Sequence, residues 1–319
     1  MALQFLDVRG KQMVSKEPIR HHYIPQFILK NFCFDTDRTQ LLYFDKRTST
    51  ISIKQPRDIF MVKNLYRDDI NNSDDIMKIE KDMARFESET AKIIAEKVLK
   101  KDEIILTVDE DERLKLFFAI MALRSKSTSK MFSTEVSGKN KAFYSIYQKN
   151  GNFDEFWKRN LGNLINCRSM REVCEHKKID APIKAFFLRD TYGLTGLYFA
   201  VAERRGPLEF LISDVYPTLI TGTTVWGAEL HMYSICPISP DRIILLVSNG
   251  VLGVPQNVVG LRDEVLKKPK LSLDRRTITI RVKIIYENEV RYVNDALINA
   301  AYEGLAFKNK SKVTFPHKV

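Results

Sequence analysis

Two adjacent histidines stand in the stretch Arg20-His21-His22-Tyr23-Ile24-Pro25-Gln26-Phe27. A neutral imidazole can ligate a metal, polarise a water or take a proton near pH 7, so His22, with His21 beside it, is the first candidate for base and metal ligand. The competing structural reading is a histidine that caps the following helix and packs against Phe27. Arg124 is informative from spacing alone: Leu114, Phe117, Met121 and Arg124 follow one another by three, four and three. That period puts a guanidinium on an apolar helix face, where an unpaired charge is expensive. Arg124 therefore calls for an anion, either Glu80 or Glu87 on the preceding helix as a register-fixing ion pair, or a phosphate or carboxylate ligand. Asp214 follows the apolar Phe210-Leu211-Ile212, and a carboxylate at the end of a core strand suits metal binding or general-base work. A turn-capping aspartate before Pro217 is equally economical. His231, alternating with Leu230, Met232 and Tyr233, reads as structural. No Walker loop and no dinucleotide glycine fingerprint occur, which speaks against P-loop hydrolysis and NAD chemistry.

Taken together these residues predict one composite site acting on a phosphate-containing substrate. His22, perhaps aided by His21, serves as base, Asp214 or Glu80 as metal ligand beside His22, and Arg124 as phosphate clamp. Arg20, Lys63, Asn64 and Tyr66 are assigned to substrate binding. The reaction that fits is metal-assisted phosphodiester cleavage with a divalent ion, Mg or Mn, by a nuclease suited to a toxin or phage-defence effector. The alternative is a non-catalytic module whose His, Glu and Arg are structural and whose basic surface grips nucleic acid or a partner protein. A third reading is a sensor that closes around a small anion.

The elements that must position these groups are legible in outline. Pro25, with Phe27, Ile28, Asn31 and Phe32 at helical spacing, predicts a short helix. Leu42 and Phe44, then Ile51 and Ile53, alternate around Asp45-Lys46-Arg47-Thr48 and predict a hairpin. Asn72 to Asp75 read as the cap and acidic first turn of a helix carrying Ile76, Ile79, Met83, Phe86, Thr90, Ile93 and Ile94 on one face, with Lys97, Lys100 and Lys101 at its end. Thr107-Val108-Asp109-Glu110 is a capping box for the next helix, striped by Leu114, Phe117, Phe118 and Met121. Helices follow at 152–166 and about 170–189, the latter broken near Pro182. Strands are expected at 197–201, 209–212, 243–247 and 277–282, and a helix from about 287 ends at Gly304. This order predicts an α+β fold: a mainly helical part at 18–193 packed on a largely antiparallel sheet from 194–319, in one compact domain, with an arm at 1–17.

Composition agrees with a folded protein. The 319 residues are 44% hydrophobic and 29% charged, which excludes disorder, collagen and coiled coil. Lys and Arg number 51 against 40 Asp and Glu, a formal charge of +11 that raises the local concentration of polyanions such as DNA or RNA. The densest basic stretches are Lys267, Lys268, Lys270, Arg275 and Arg276, and the tail Lys308, Lys310, Lys312 and Lys318. Four scattered cysteines form no disulfide framework and no zinc spacing. An acid at position seven interrupts any leader, and the longest apolar run, Phe117 to Leu123, is far too short to span a bilayer. The expectation is a cytoplasmic protein with no membrane contact and with a partner protein or a second copy as further partners.

Two resemblances follow from the motifs. His-His-x-x-Pro is similar to the first histidine of HNH-type nucleases, and Asn64 falls near their asparagine, but no second histidine follows before His176. More extensively, His22-x-x-Pro25-x-x-x-Leu29-x-x-Phe32, Asn64-Leu65-Tyr66, the helix with Glu80, Leu116 to Arg124, Phe210 to Asp214 with Pro217, and Cys236-Pro237-Ile238-Ser239-Pro240 resemble the bacterial domain-of-unknown-function family 4238. The resemblance runs over roughly residues 18 to 305 and implies no particular activity. The family's usual Ser-Asp-x-Pro is here Ser213-Asp214-Val215-Tyr216-Pro217, and the extra residue shifts Asp214 relative to its turn.

Overall fold

Chain segments far apart in sequence share sheets, and this interleaving positions the site. The computed structural model describes residues 20–315 other than 70, 73, 125–152, 186–197, 228, 249–251, 253–260 and 262–268. The expected arm at 1–17, the end of the helix at 170–189 and the lysines at 267, 268 and 318 lie outside the described residues.

The chain opens with β1 (Arg20–His22), α1 (Gln26–Leu29) and a 3-10 turn at Lys30–Phe32. Pro25 precedes α1 with φ −58° and accepts from the Leu29 amide at 3.3 Å, as proline at a helix start should. The expected hairpin is present as β2 (Leu41–Asp45) and β3 (Thr50–Lys54), and β4 (Met61–Lys63) pairs antiparallel with β1. Helix α2 (Lys78–Ile93) begins later than the Asn72–Asp75 cap expected from sequence. The buried Asp68 carboxylate holds Asn71 and Asn72, through the Asn71 amide at 3.0 Å and Asn72 Nδ2 at 2.7 Å, so those residues form turns before the helix. Ile79, Met83, Phe86 and Thr90 form its buried face as expected.

After a π turn at Ile94–Val98 comes β5 (Glu103–Thr107), a strand not anticipated, then α3 (Val108–Arg124). The Thr107 capping box is realised: the Thr107 amide donates to Glu110 Oε2 at 2.8 Å and the Glu110 amide to Thr107 Oγ1 at 3.2 Å. The cations expected at the end of α2 do other work. Lys97 pairs with Glu110 at 2.6 Å, and the carbonyls of Val98 and Lys101 are taken instead by the buried Arg242, both at 2.7 Å. From Leu116 to Arg124 every residue of α3 is buried, so this is a central helix and not the one-striped helix read from sequence. Phe118 meets Phe199 edge-on at 6.3 Å on one side, and Trp157 Nε1 donates to the Leu123 carbonyl at 3.3 Å on another.

The remaining helices before the second half are α4 (Phe153–Ile165), α5 (Met170–Glu175) and α6 (Ala181–Ala185). Strands β6 (Tyr198–Arg204), β7 (Ile212–Ser213), β8 (Thr218–Thr223), β9 (Glu229–Pro237), β10 (Arg242–Val247), β11 (Lys270–Leu271), β12 (Thr277–Arg281) and β13 (Lys283–Ile285) precede α7 (Glu287–Ala300) and β14 (Gly304–Phe307). The fold is α+β, but the single C-terminal sheet expected from sequence is four sheets. One is β13-β6-β10-β9-β8, antiparallel except for the β13–β6 pair; the others are β3-β2-β14-β7, β11-β12-β5 and β1-β4. Three of the four therefore draw on strands from the first half.

Two local corrections have clear causes. The expected strand at 209–212 forms a ladder only at Ile212–Ser213, because the amides before it go elsewhere: Glu209 to the Lys312 carbonyl, Phe210 to that of Pro240, Leu211 to Asn294 Oδ1. Gly304 does not end the last helix. Helix α7 stops at Ala300, capped by Lys46 donating to the carbonyls of Ile298 and Ala301 at 2.9 and 2.7 Å, and Gly304 opens an internal strand. A Cβ there would collide with the Tyr43 ring, so glycine is needed for close approach.

Candidate functional site

Strand β1 sends its two histidines to opposite sides, as strand geometry requires. His21 is fully buried. Its Nδ1 accepts the Tyr66 amide at 2.8 Å and its ring stacks on Tyr66 at 5.3 Å. It is therefore a structural residue joining β1 to the turn after β4, and the catalytic role expected for it is corrected. His22 faces a cavity of about 360 Å³ whose lining includes Gln26, Phe27, Tyr66, Glu80, Met83, Glu87 and Ser88. Four of these had been read from sequence as chemistry-bearing: His22, Tyr66, Glu80 and Glu87. Gln26 and Ser88 had not, although Gln26 follows His22 by four residues.

Arg124 forms the floor of this arrangement. Its side chain has no exposed surface, Nε donates to the Tyr23 carbonyl at 2.9 Å and Nη2 to the His22 carbonyl at 3.0 Å. Nη1 forms an ion pair with Glu87 Oε1 at 2.7 Å. The guanidinium also sits 5.6 Å from the centre of the Tyr66 ring, and Tyr66 Oη donates to the His22 carbonyl at 3.1 Å. Arg124 thus ties the end of β1 to α2 and α3. The sequence left Glu80 and Glu87 open as partners, and Glu87 holds the position.

The consequence falls on Glu80. With Arg124 engaged by Glu87, Glu80 makes no hydrogen bond or ion pair among the described residues. Burial, reinforced by the negative charge of Glu87 and only partly offset by Arg124, pushes its carboxyl from the ordinary 4.5 up to about 7. Glu87 is raised too, by burial first, against the pull of Arg124. His22 moves the other way. Burial depresses it below 6.5, aided by the charges of Arg124 and His21, while the carbonyls of Pro56 and Arg57 oppose the shift. Its Nδ1 stands 3.3 Å from Gln26 Nε2, and its buried Nε2 has no partner at hydrogen-bond geometry among the described residues. One cavity therefore holds a neutral imidazole and a carboxyl that retains its proton near neutrality.

The other expected members stay apart from it. Asp214 is buried with its oxygens on the amides of Tyr302 at 3.0 Å and Glu303 at 2.8 Å, so it pins the turn between α7 and β14 to the end of β7. That is the turn-clamping role, reached through a tertiary contact. Replacing Asp214 with Asn should cost about 1–3 kcal/mol in unfolding free energy, because one buried amide loses its charged acceptor, while leaving any activity of the His22 cavity intact in the folded fraction. Denaturant unfolding alongside an activity assay checks both halves. Asn64 is exposed at φ 56° in the turn after β4, where its carbonyl accepts the Arg67 amide at 3.2 Å. Lys63 is exposed, and Arg20 forms an exposed ion pair with Asp58 at 3.0 Å. None of these three lines the cavity. Among the described residues no three His, Cys, Asp or Glu side chains stand together so as to hold a metal ion. Asp214, its oxygens taken by the Tyr302 and Glu303 amides, is not among the residues that line the cavity with His22.

A family model described as a protein of unknown function, DUF4238, matches residues 20–311. No curated protein and no solved structure matches the chain.

Proposed function

We propose, for a chain that belongs to the DUF4238 family of proteins of unknown function, that the His22 cavity cleaves phosphodiester bonds by paired proton transfer. One observation carries the reading: a neutral imidazole and a carboxyl poised near pH 7 line the same cavity. Cleaving a phosphodiester needs a base for the attacking hydroxyl and an acid for the departing oxygen. His22 Nδ1, once Gln26 turns aside, takes the first proton, and Glu80 supplies the second. Glu87 and Arg124 are positioning residues: their ion pair occupies Arg124, while burial and the charge of Glu87 raise the Glu80 carboxyl to about 7. The surplus of positive charge, +11 over the chain, favours a polyanionic substrate such as DNA or RNA. A toxin or phage-defence effector is the biological setting such an activity suits.

A second reading, a nucleic-acid or protein-binding module without chemistry, is favoured by one feature: His21, Tyr66 and Arg124 are engaged internally. The two separate in a single experiment. Wild type, His22→Ala and Glu80→Gln are incubated with RNA, single-stranded DNA and supercoiled DNA, in EDTA and with Mg²⁺ or Mn²⁺ added. The expected result is cleavage by wild type with a bell-shaped pH profile, its acid limb below 6.5 from His22 and its alkaline limb near 7 from Glu80. Each folded variant should lose about a hundredfold or more in rate. Salt-dependent binding with no cleavage under any condition would establish the non-catalytic module instead, and dependence on the added ion would restore the metal-assisted form expected from sequence.

A further inference from the structure

Two hairpin tips lie toward the same end of the five-stranded sheet, one from its own β8–β9 pair and the other from β11–β12 of the three-stranded sheet. Strand β13 runs parallel to β6, with Lys283 opposite Ala202 and Ile285 opposite Arg204. Strand β12 leads into β13 through the single residue Val282, and Thr279 and Ile280 share a cavity lining with Ala200. The start of β12, and the β11–β12 turn before it, therefore lie beyond the first residue of β6. On the far side of the sheet Tyr198 faces Val247 and Val247 faces Tyr233. The β8–β9 pair continues past that level to Thr223 opposite Glu229, so its turn emerges at this end as well.

Both tips carry apolar side chains in water. Leu271 and Leu273 are 54% and 105% exposed on one, Val225 and Trp226 are 72% and 89% exposed on the other. Neither turn is loosely held. Ser272 receives Arg275 through its carbonyl at 2.9 Å, and its amide reaches the Thr277 carbonyl at 2.9 Å. In the other turn Gly227, at φ 78°, donates to the Thr224 carbonyl at 2.9 Å. Beside the leucines stand the exposed Lys270, Arg275 and Arg276, of which, among the described residues, only Arg276 forms an ion pair, with Asp274 at 4.0 Å.

We propose that this end of the sheet docks on an anionic lipid bilayer, with Leu271, Leu273, Val225 and Trp226 entering the interfacial layer and Lys270, Arg275 and Arg276 meeting headgroup phosphates. Separate apolar tips do not form the continuous apolar core of a protein interface, whereas a fluid interface receives isolated apolar side chains and anionic headgroups attract the cations beside them. Nucleic acid would be gripped by aromatic stacking, and three of the four exposed side chains are aliphatic. Tryptophan is at home in the interfacial layer. Surface docking needs no membrane span, and no helix among the described residues is long and apolar enough to cross one. The proposal amends the expectation of no membrane contact and does not depend on the His22 cavity.

The chain has two tryptophans, and Trp157 is buried against Tyr66 at 6.1 Å, so Trp226 reports the tip. The full chain is mixed with vesicles of phosphatidylcholine alone or of phosphatidylcholine with phosphatidylglycerol, and flotation and tryptophan emission are read. Flotation with a blue shift is expected for the mixed vesicles and neither for phosphatidylcholine alone. Trp226→Phe should keep flotation and abolish the shift. Leu273→Asp combined with Arg275→Ser, both at exposed positions, should lower the bound fraction about tenfold, equivalent to roughly 1.4 kcal/mol, with far-UV circular dichroism unchanged. No flotation with mixed vesicles, flotation without the shift, or an undiminished double variant would overturn the proposal. A salt-sensitive shift produced by single-stranded DNA in place of vesicles would also overturn it, by assigning the tips to nucleic acid.

Discussion

Arg124→Met should cost about 3–5 kcal/mol in unfolding free energy, the range for breaking a buried charge pair from one side. The side chain has no exposed surface, and its removal strands the Glu87 carboxylate, takes the Arg124 donor from the Tyr23 carbonyl and leaves the His22 carbonyl with Tyr66 Oη. Methionine keeps most of the aliphatic stem, so the loss reports charge and hydrogen bonding and not a cavity. Glu87→Gln, which leaves Arg124 both carbonyl contacts, should cost less. Combining Arg124→Met with Glu87→Leu should recover part of the loss, since no lone carboxylate then remains. Urea unfolding of the four proteins reads these terms directly. A loss under about 1 kcal/mol in the single variant, the level of an exposed pair, would show that Arg124 does not clamp β1 to α2 and α3.

Glu80→Gln is expected to move stability and activity in opposite directions. Below pH 4.5 the carboxyl is protonated in both folded and unfolded chains and contributes no penalty. Between 4.5 and about 7 the unfolded chain loses the proton first, so ionisation draws the protein toward unfolding, and above 7 the full penalty is present. A displacement of that size corresponds to about 3 kcal/mol; screening of the half-buried side chain reduces it to about 1–2 kcal/mol. The glutamine variant cannot ionise. It should therefore be more stable than wild type by that amount at pH 8 and indistinguishable from it near pH 4. His22 acts at the other flank: depressed in the fold, it withholds a proton that the unfolded chain accepts below 6.5, so stability falls as pH drops from there. If Glu80 is the acid, the same variant loses about 10²–10⁴ in cleavage rate and its alkaline limb. Thermal melts at pH 4 and 8, run beside the cleavage assay, separate the terms. A variant no more stable than wild type at pH 8 would remove the basis for calling Glu80 a poised acid.

These expectations trace back to features with different degrees of visibility in the chain. Arg124 was readable as a buried cation in need of an anion because helical period alone put it among Leu114, Phe117 and Met121. Glu80 was readable as a candidate but not as a poised acid. Its elevated proton affinity arises from burial first and then from the charge of Glu87, one heptad on, which holds Arg124 in an ion pair. That choice depends on how α2 and α3 cross, which no local pattern encodes. Asp214 illustrates the reverse. A carboxylate at a strand end invites catalysis, and its engagement by amides from residues 302 and 303 depends on a sheet pairing across some ninety positions of chain.

By itself the sequence determined what short-range hydrogen bonds and side-chain period can enforce: the Thr107 capping box, the β2–β3 hairpin, the buried stripe of α2, the α+β class, and the association of His22 with the start of a helix. Tertiary structure alone decided that β2 joins β7 through β14, that β5 joins β12, that α3 is buried on every side from Leu116 to Arg124, and that His21 turns inward while His22 meets a cavity. The reason lies in range. A cap or a hairpin satisfies its polar groups with neighbours a few residues away, so the pattern carries its own partner. The burial, charge and hydrogen bonding that make a carboxyl and an imidazole reactive come from segments brought together only by the packed core.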